Sequence, residues 1–298
     1  MKGRVLIVAG SDSGGGAGIQ ADIKTVTALG GYAATAITAL TAQNTRGVFG
    51  VVPVAPDFVR QQIELVLDDI GADAIKTGML HDEGIINVLA DSLEAQGRQI
   101  NLVVDPVMIA KGGAPLIDSA AIAALKRRIV NLATIITPNL MEAEKLAGMS
   151  IRTVEDMERA AAALLTLGCE SALVTGGHLE SDTLVDVLAT ANGIERFRSK
   201  RIDTRHTHGT GCTLASAIAT GLAQGMDVRA AVVRARDYVR RAIETAPGFG
   251  HGHGPVNHVY MIDAAKSAPA RKRARAKAKA KRAVKPKRPA PERRARKR

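Results

Sequence analysis

The 298-residue chain has no tryptophan, three tyrosines and four phenylalanines, so aromatic residues make up 2% of it. Its core must therefore be filled by Ala, Val, Ile and Leu. Cysteine is as scarce, with Cys169 and Cys212 alone, so at most one disulfide is available. A chain this long does not depend on one, and the expectation is a reducing, cytoplasmic setting. No apolar run approaches the ~20 residues that span a bilayer, and no secretory segment follows Met1, so no membrane contact is expected. Acidic residues are almost missing from one end. From Lys266 to Arg298 there are 17 Lys and Arg against one Glu, whereas the remainder holds 24 basic and 28 acidic residues. The net charge of +12 thus belongs to that end, and the body is mildly acidic.

What is present is ample apolar material, 46% of residues, enough for one large domain or two small ones. It falls in alternating segments. Strand-like runs cover 4–9, 33–42, 74–77, 101–104, 134–136 and 171–175, and helical spacing covers 18–29, 58–70, 83–96, 119–130, 154–167, 213–224 and 228–245. Segments 183–190 and 194–202 read as antiparallel strands about the turn signal Asn192-Gly193. Alternation of this kind predicts an α/β fold with a mostly parallel sheet covered on both faces. Ligands in such sheets bind at the carboxyl ends of strands, and polar residues gather there: Ser11-Asp12, Gln43-Asn44, Lys76, Asp105, Asn139 and Gly176-Gly177.

Two glycine turns stand out. His208-Gly209-Thr210-Gly211-Cys212 opens a small-residue apolar run. A glycine turn feeding a helix leaves backbone N–H groups free at the positive end of the helix dipole, which suits an anion. Cys212 adds a residue able to become a thiolate there. The earlier turn, Gly10 to Gly18, follows the first strand but is not a dinucleotide fingerprint. The third glycine of G-x-G-x-x-G would fall at Ile19, and no acidic residue lies between Asp22 and Asp57 to hold a ribose. The P-loop order is absent too. The loop instead lets backbone approach a small ligand closely. Asp22 is either a partner for ligand donors or an exposed helix carboxylate.

These segments, with Thr38–Thr45, Lys76–Leu80, Asp105–Met108, Thr137–Ala143, Gly176–His178 and Gly250–His258, strongly resemble hydroxymethylpyrimidine/phosphomethylpyrimidine kinases of the ribokinase-like superfamily, over residues 3–262. The resemblance implies a three-layer α/β/α fold and ATP with Mg²⁺ as cofactors. It implies two successive phosphorylations, of 4-amino-5-hydroxymethyl-2-methylpyrimidine and then of its monophosphate, in thiamine diphosphate synthesis. It places Gly10, Ala17, Asp22, Gln43, Met79 and Val107 around the pyrimidine. Gln43 has a donor and an acceptor for an aminopyrimidine edge, and Met79 an adaptable apolar face. Nucleotide contacts would come from Asp105, Asn139, Glu142, Thr175, Gly177 and Thr207, with Asp105 and Glu142 at the metal; two carboxylates suffice for Mg²⁺ held also by phosphates and water. Gly209, Thr210, Gly211 and Cys212 would form the anion hole for the phosphoryl group in flight. Cys212 would stand where sugar-kinase relatives carry an Asp base, acting as base or orienting the nucleophile; the alternative is that only its N–H matters.

One position departs from the family: Thr175 precedes Gly176-Gly177-His178 where a lysine is common, which puts a charge contact to the nucleotide in doubt. Threonine there also suits pyridoxal kinases of the same fold, the alternative assignment. His251, His253 and His258 read as a surface loop, and His178 and His208 flank the nucleotide region, either touching phosphate or satisfied within their loops. Two regions are expected: a kinase domain over 1–264 and a disordered basic tail over 265–298. The tail is either a solvated extension with no role in catalysis or a site of non-specific contact with nucleic acid or another polyanion, and it lacks the aromatics needed for base stacking. A kinase body secondary to a nucleic-acid-associated role is a third reading. The resemblance also implies a homodimer.

Overall fold

The computed structural model describes residues 1–96, 100–109, 113, 116–177 and 182–262. The chain divides into two units, Met1–Tyr260 and Met261–Arg298. The basic tail and His178 lie outside the described residues. Within the first unit nine strands form one sheet in the order β3-β2-β1-β4-β5-β6-β7-β8-β9. The strands are β1 (Arg4–Asp12), β2 (Tyr32–Asn44), β3 (Gly47–Pro53), β4 (Ala74–Thr77), β5 (Asn101–Val104), β6 (Ile135–Ile136), β7 (Ser171–Val174), β8 (Thr183–Thr190) and β9 (Gly193–Lys200). Strands β2, β1, β4, β5, β6 and β7 pair in parallel, and β3, β8 and β9 add antiparallel borders. The α/β/α expectation is met.

The helices are α1 (Gly18–Ala28), α2 (Pro56–Leu65), α3 (Glu83–Ala95), α4 (Ser119–Arg128), α5 (Leu140–Ala147), α6 (Val154–Leu165), α7 (Thr210–Ala223) and α8 (Val228–Glu244). Side chains alternate across a strand, so each strand feeds two cores. Leu6 and Val8 of β1 join Ile75, Leu102 and Val104 in a cluster with α2 to α6, whereas Val5, Ile7 and Ala9 join Val103 and Leu173 under α1, α7 and α8. Both faces being covered, β1 reads as a continuous apolar run.

Two elements escaped the sequence pattern. Strand β3 (GVFGVVP) carries two glycines and a proline that hide its strand character; it is an edge strand, where Pro53 costs no ladder bond. Helix α5 spans eight residues, too short for periodicity. Its signal is at its ends, a capping box of Asn139 and Glu142 and a left-handed Gly148. The 58–70 segment is an α-helix to Leu65 followed by a π-helical turn, Val66–Ile70.

The helix starts differ in a way that matters for the site. Helices α3, α4, α5, α6 and α8 are capped by Asp82, Asp118, Asn139, Thr153 and Asp227. Helices α1 and α7 have no side-chain cap, and α2 starts on a proline. The first turns of α1 and α7 therefore keep N–H groups unclaimed by a cap, and both helices begin at the glycine turns.

Candidate active site

The carboxyl ends of the parallel strands carry the cleft residues. Strand β1 ends in Gly10-Ser11-Asp12. Asp12, 2% exposed, folds the first glycine turn around itself: Oδ1 accepts from Gly14 N at 2.7 Å, and Oδ2 from Gly16 N at 3.1 Å and Ala17 N at 2.8 Å. A Cβ on Gly10 would stand 2.5 Å from the Met79 methyl, and one on Gly18 2.4 Å from Gly10 O. Glycine is thus needed at 18, where α1 starts against the backbone of Gly10, while Gly10 leaves room for the methyl of Met79 at the end of β4. Gln43, late in β2, reaches the same turn: Ser13 Oγ donates to its carbonyl at 2.9 Å. Gly10, Ala17, Gln43 and Met79 are so gathered at the ends of β1, β2 and β4.

Helix α7 docks on that turn. Its N-cap, Gly209, has φ 80°, and a Cβ there would lie 1.8 Å from Gly16 O. Gly211 faces the other way, its Cβ position 3.9 Å from both Asp105 oxygens. The helix start therefore bridges the glycine turn and the end of β5. The Cys212 thiol sits in the field of Lys76, Asp22 and Asp105, with the Gly18 N–H beside it. Burial pushes its thiol up to about 12, against the pull of Lys76. Burial and the Asp22 and Asp105 carboxylates favour the thiol over the thiolate at Cys212, against Lys76 and the helix dipole.

Behind this layer lies a fully buried ion pair. Lys76 of β4 donates to both Asp22 oxygens, at 3.0 and 2.9 Å, and Ser216 Oγ of α7 donates to Asp22 Oδ1 at 2.7 Å. Lys76 Nζ is also 3.9 Å from Asp105 Oδ2. Burial opposes the ammonium, but Asp22 with Asp105 holds its pKa above the usual lysine range. Both readings of Asp22 are corrected. It is neither an exposed helix carboxylate nor free for ligand donors, because its oxygens are occupied by Lys76 and Ser216 at zero exposure. Sequence reasoning noted Lys76 as a strand-end residue without giving it a role. Its signal was a lysine at the end of an otherwise apolar strand.

Asp105 and Glu142 are short of donors. Asp105 Oδ2 is buried without a hydrogen-bond partner, and burial raises the group to about 6. Glu142 takes N–H bonds from Asn139 at 2.9 Å and Met108 at 3.4 Å, yet burial and the charge of Asp105 raise it to about 8. Asn139 caps α5 through Glu142 N at 3.1 Å and bridges to Thr175 at the end of β7. Gly177 is exposed two residues further on, and half-buried Val107 follows Asp105. Thr207 O accepts from Thr210 Oγ1 at 3.1 Å, which ties it to the start of α7. Two buried carboxylates with an orphaned oxygen, beside an uncapped helix start, fit a divalent cation that keeps most of its ligands as water and phosphate. Among the described residues no group of three or more acidic, His or Cys side chains could hold a metal alone.

One of the histidines differs from expectation. His251 and His253 are exposed, but His258 is buried beneath α7: its Nε2–H donates to Thr213 Oγ1 at 3.0 Å, since that hydroxyl gives its own proton to Gly209 O. Burial lowers His258 to about 4, so it is neutral. The strap before it is pinned to the β2–β3 turn by His253 N to Thr45 O at 2.8 Å. His208 is a buried partner of Asp12, with Nε2 to Oδ2 2.9 Å, and contacts Gln43. No helix among the described residues is long and apolar enough to cross a membrane.

Comparison with known proteins points the same way. The chain is 53% identical over 262 residues to the thiamine biosynthesis bifunctional protein ThiED of Geobacter sulfurreducens, covering 88% of the chain but about half (53%) of that longer protein. It is 48% identical to a hydroxymethylpyrimidine/phosphomethylpyrimidine kinase of Streptomyces coelicolor, covering 87% of the chain and 95% of the relative. An ADP complex of Bacillus subtilis pyridoxal kinase superposes with a TM-score of 0.81 at 37% identity, over 88% of this chain and 99% of that one. The model of the phosphomethylpyrimidine kinase family matches residues 12–257, and the chain belongs to that family.

Proposed function

We propose that the protein phosphorylates 4-amino-5-hydroxymethyl-2-methylpyrimidine and then its monophosphate, with ATP as donor, as a step of thiamine diphosphate synthesis. The observation that carries this reading is the start of α7, an uncapped helix N-terminus wedged between a glycine-built pocket and a buried, under-bonded carboxylate. Gly10, Ala17, Gln43, Met79 and Val107 hold the ring. Asp22 supports the pocket from behind through Lys76. The N–H groups of Gly209, Thr210, Gly211 and Cys212 face the charge that develops on the transferring group, where donors fixed in advance are worth most. Asn139, Thr175, Gly177 and Thr207 line the nucleotide side. Asp105 and Glu142 would hold Mg²⁺, which when bound neutralises phosphate charge. Phosphoryl transfer passes through a loose transition state and needs no strong base. As a thiol, Cys212 acts by orienting the hydroxyl.

The test is ATP-dependent turnover by the full chain with Mg²⁺, offered the hydroxymethylpyrimidine, its monophosphate and pyridoxal in parallel, with products read by mass. Both pyrimidines should be consumed, with pyridoxal much slower. Preference for pyridoxal would instead support the second reading, which the pyridoxal kinase fold match and Thr175 favour. No turnover of any would sink both.

We further infer a homodimer, a polyanion-binding tail and a cytoplasmic setting. The chain pairs with a second copy through the apolar strip of Phe49, Val52, Phe58 and Leu65 on β3 and α2, all more than half exposed. Sedimentation showing monomers at micromolar concentration would refute it. The basic tail binds polyanions; deleting 266–298 should abolish heparin and DNA retention and leave kinase activity unchanged. Retention that survives the deletion rules this out. Finally, both cysteines are free, which suits a cytoplasmic setting.

A further inference from the structure

We propose that His208 is a positioning residue for the pocket: clamped by Asp12, it fixes which end of the Gln43 amide faces which way, and so sets the donor–acceptor order shown to the heteroaromatic edge of the substrate. This rests on the pyrimidine reading above.

Asp12 accepts three backbone N–H bonds and one from His208. Burial works against its charge, but His208 and the N–H groups of Ala17 and Gly14 overcome that and hold it below the usual carboxylate range. An ionised carboxylate only accepts, so His208 Nε2, 2.9 Å from Oδ2, must carry a proton. The same Nε2 lies 3.3 Å from the Gln43 amide nitrogen, and the amide oxygen lies 3.2 Å from Thr41 Oγ1. Two donors cannot face each other. Thr41 has one hydroxyl proton, and Ser11 O takes it at 2.9 Å. Amide oxygen and nitrogen are nearly equal in size, and the reversed orientation satisfies both contacts. Gln43 oxygen then shares the single Nε2–H with Asp12 Oδ2 in a three-centre bond, the longer arm at 3.3 Å, and Gln43 nitrogen donates to Thr41 Oγ1.

What is left over is directional. One N–H on the Thr41 side and one oxygen lone pair on the His208 side remain for a ligand. That order matches a ring nitrogen beside an exocyclic amine. A ring lacking the amine leaves the oxygen unpaired, a mismatch that polar pockets penalise heavily. The clamp itself is rigid, because a Cβ on Gly16 would lie 2.4 Å from the His208 ring and Asp12 is tied to three residues of the turn.

The test compares His208→Phe, which removes the donor, with His208→Gln, whose amide nitrogen can donate to both Asp12 and Gln43. For His208→Phe we expect KM for the hydroxymethylpyrimidine to rise about tenfold, the preference over pyridoxal in kcat/KM to fall about tenfold, and KM for ATP to move less than twofold. His208→Gln should restore most of the preference. Equal losses on both substrates, or no rescue by glutamine, would overturn the proposal. Nitrogen NMR of the unaltered protein gives a reading independent of folding and turnover: His208 should be protonated at Nε2, and a bare Nε2 refutes the clamp. If the wild type turns over neither pyrimidine, the functional reading fails while the tautomer still reports on the clamp.

Discussion

Asp12 and Asp105 stand at equivalent places, each at the carboxyl end of a buried parallel strand, and are 2% and 5% exposed. Their surroundings are opposite. Around Asp12 the glycine turn supplies three N–H donors and His208 a fourth, and the carboxylate is held low. Around Asp105 one oxygen is orphaned, the lysine is 3.9 Å away and already committed to Asp22, and the group rises to about 6. Burial disfavours both charges, more so at Asp105, and the donor supply that offsets it at Asp12 is missing there. The satisfied carboxylate builds the pocket. The unsatisfied one is left for something that arrives with positive charge.

The largest effect that would break this contrast is at Asp105. Asp105→Asn should lower kcat/KM by about 10²–10⁴-fold, a loss of transition-state stabilisation, while the melting temperature stays level or rises because a strained charge is gone. A large fall in stability with activity retained would make Asp105 a structural residue like Asp12. Next is Lys76→Met, which strands Asp22 in the core and should cost about 3–5 kcal/mol, read by urea unfolding. Pairing it with Asp22→Leu should recover most of that, because two apolar residues leave no orphaned charge. Failure to recover would mean the pair is needed for more than its own neutrality.

Glu142 sharpens the same contrast through pH. Its folded pKa, about 8, lies above its ordinary value of 4.5. Between those values the folded protein binds more protons than the unfolded chain, so stability falls as pH rises through that window. Asp105 adds to the fall over roughly pH 4–6. Without Mg²⁺ we expect a loss of about 5 kcal/mol from pH 5 to 8.5. Glu142→Gln should flatten the upper part of that slope. Mg²⁺ should raise the melting temperature more at pH 8.5 than at pH 6. A flat profile in the wild type would show that the carboxylates have donors unseen in the fold.

Much of the frame was legible in sequence because it rests on local rules. The strand and helix alternation, the hairpin at Asn192-Gly193 and the uncapped turn before α7 all follow from periodicity and turn chemistry. Strand β3 was hidden by its glycines and proline, and α5 by its length. The site was legible as a set of residues and not as a wiring diagram. Nothing local tells that Lys76 meets Asp22 across 54 positions, or that His208 meets Asp12 across 196. The fate of Asp22, His258 and Cys212 depends on which face of the sheet each is pressed against. That is decided by packing.

Cys212 is where the two sides of the comparison meet, and it carries the smallest expected effect. A cysteine in the first turn of a helix usually has a lowered pKa, because N–H dipoles favour the thiolate. Here Gly18 N–H and Lys76 pull in that direction, but burial and the charges of Asp22 and Asp105 pull harder, and the thiol rises to about 12. Iodoacetamide should therefore label Cys212 slowly at pH 7.5, with the rate still climbing beyond pH 9. Cys212→Ser keeps a hydrogen-bonding group and should lose no more than about tenfold in kcat, well short of the Asp105→Asn loss. Rapid labelling at neutral pH, together with a serine variant as damaged as Asp105→Asn, would put a thiolate at the anion hole. Asp105 would then be the protonated partner, and the donor-poor half of the cleft would share a proton between two groups.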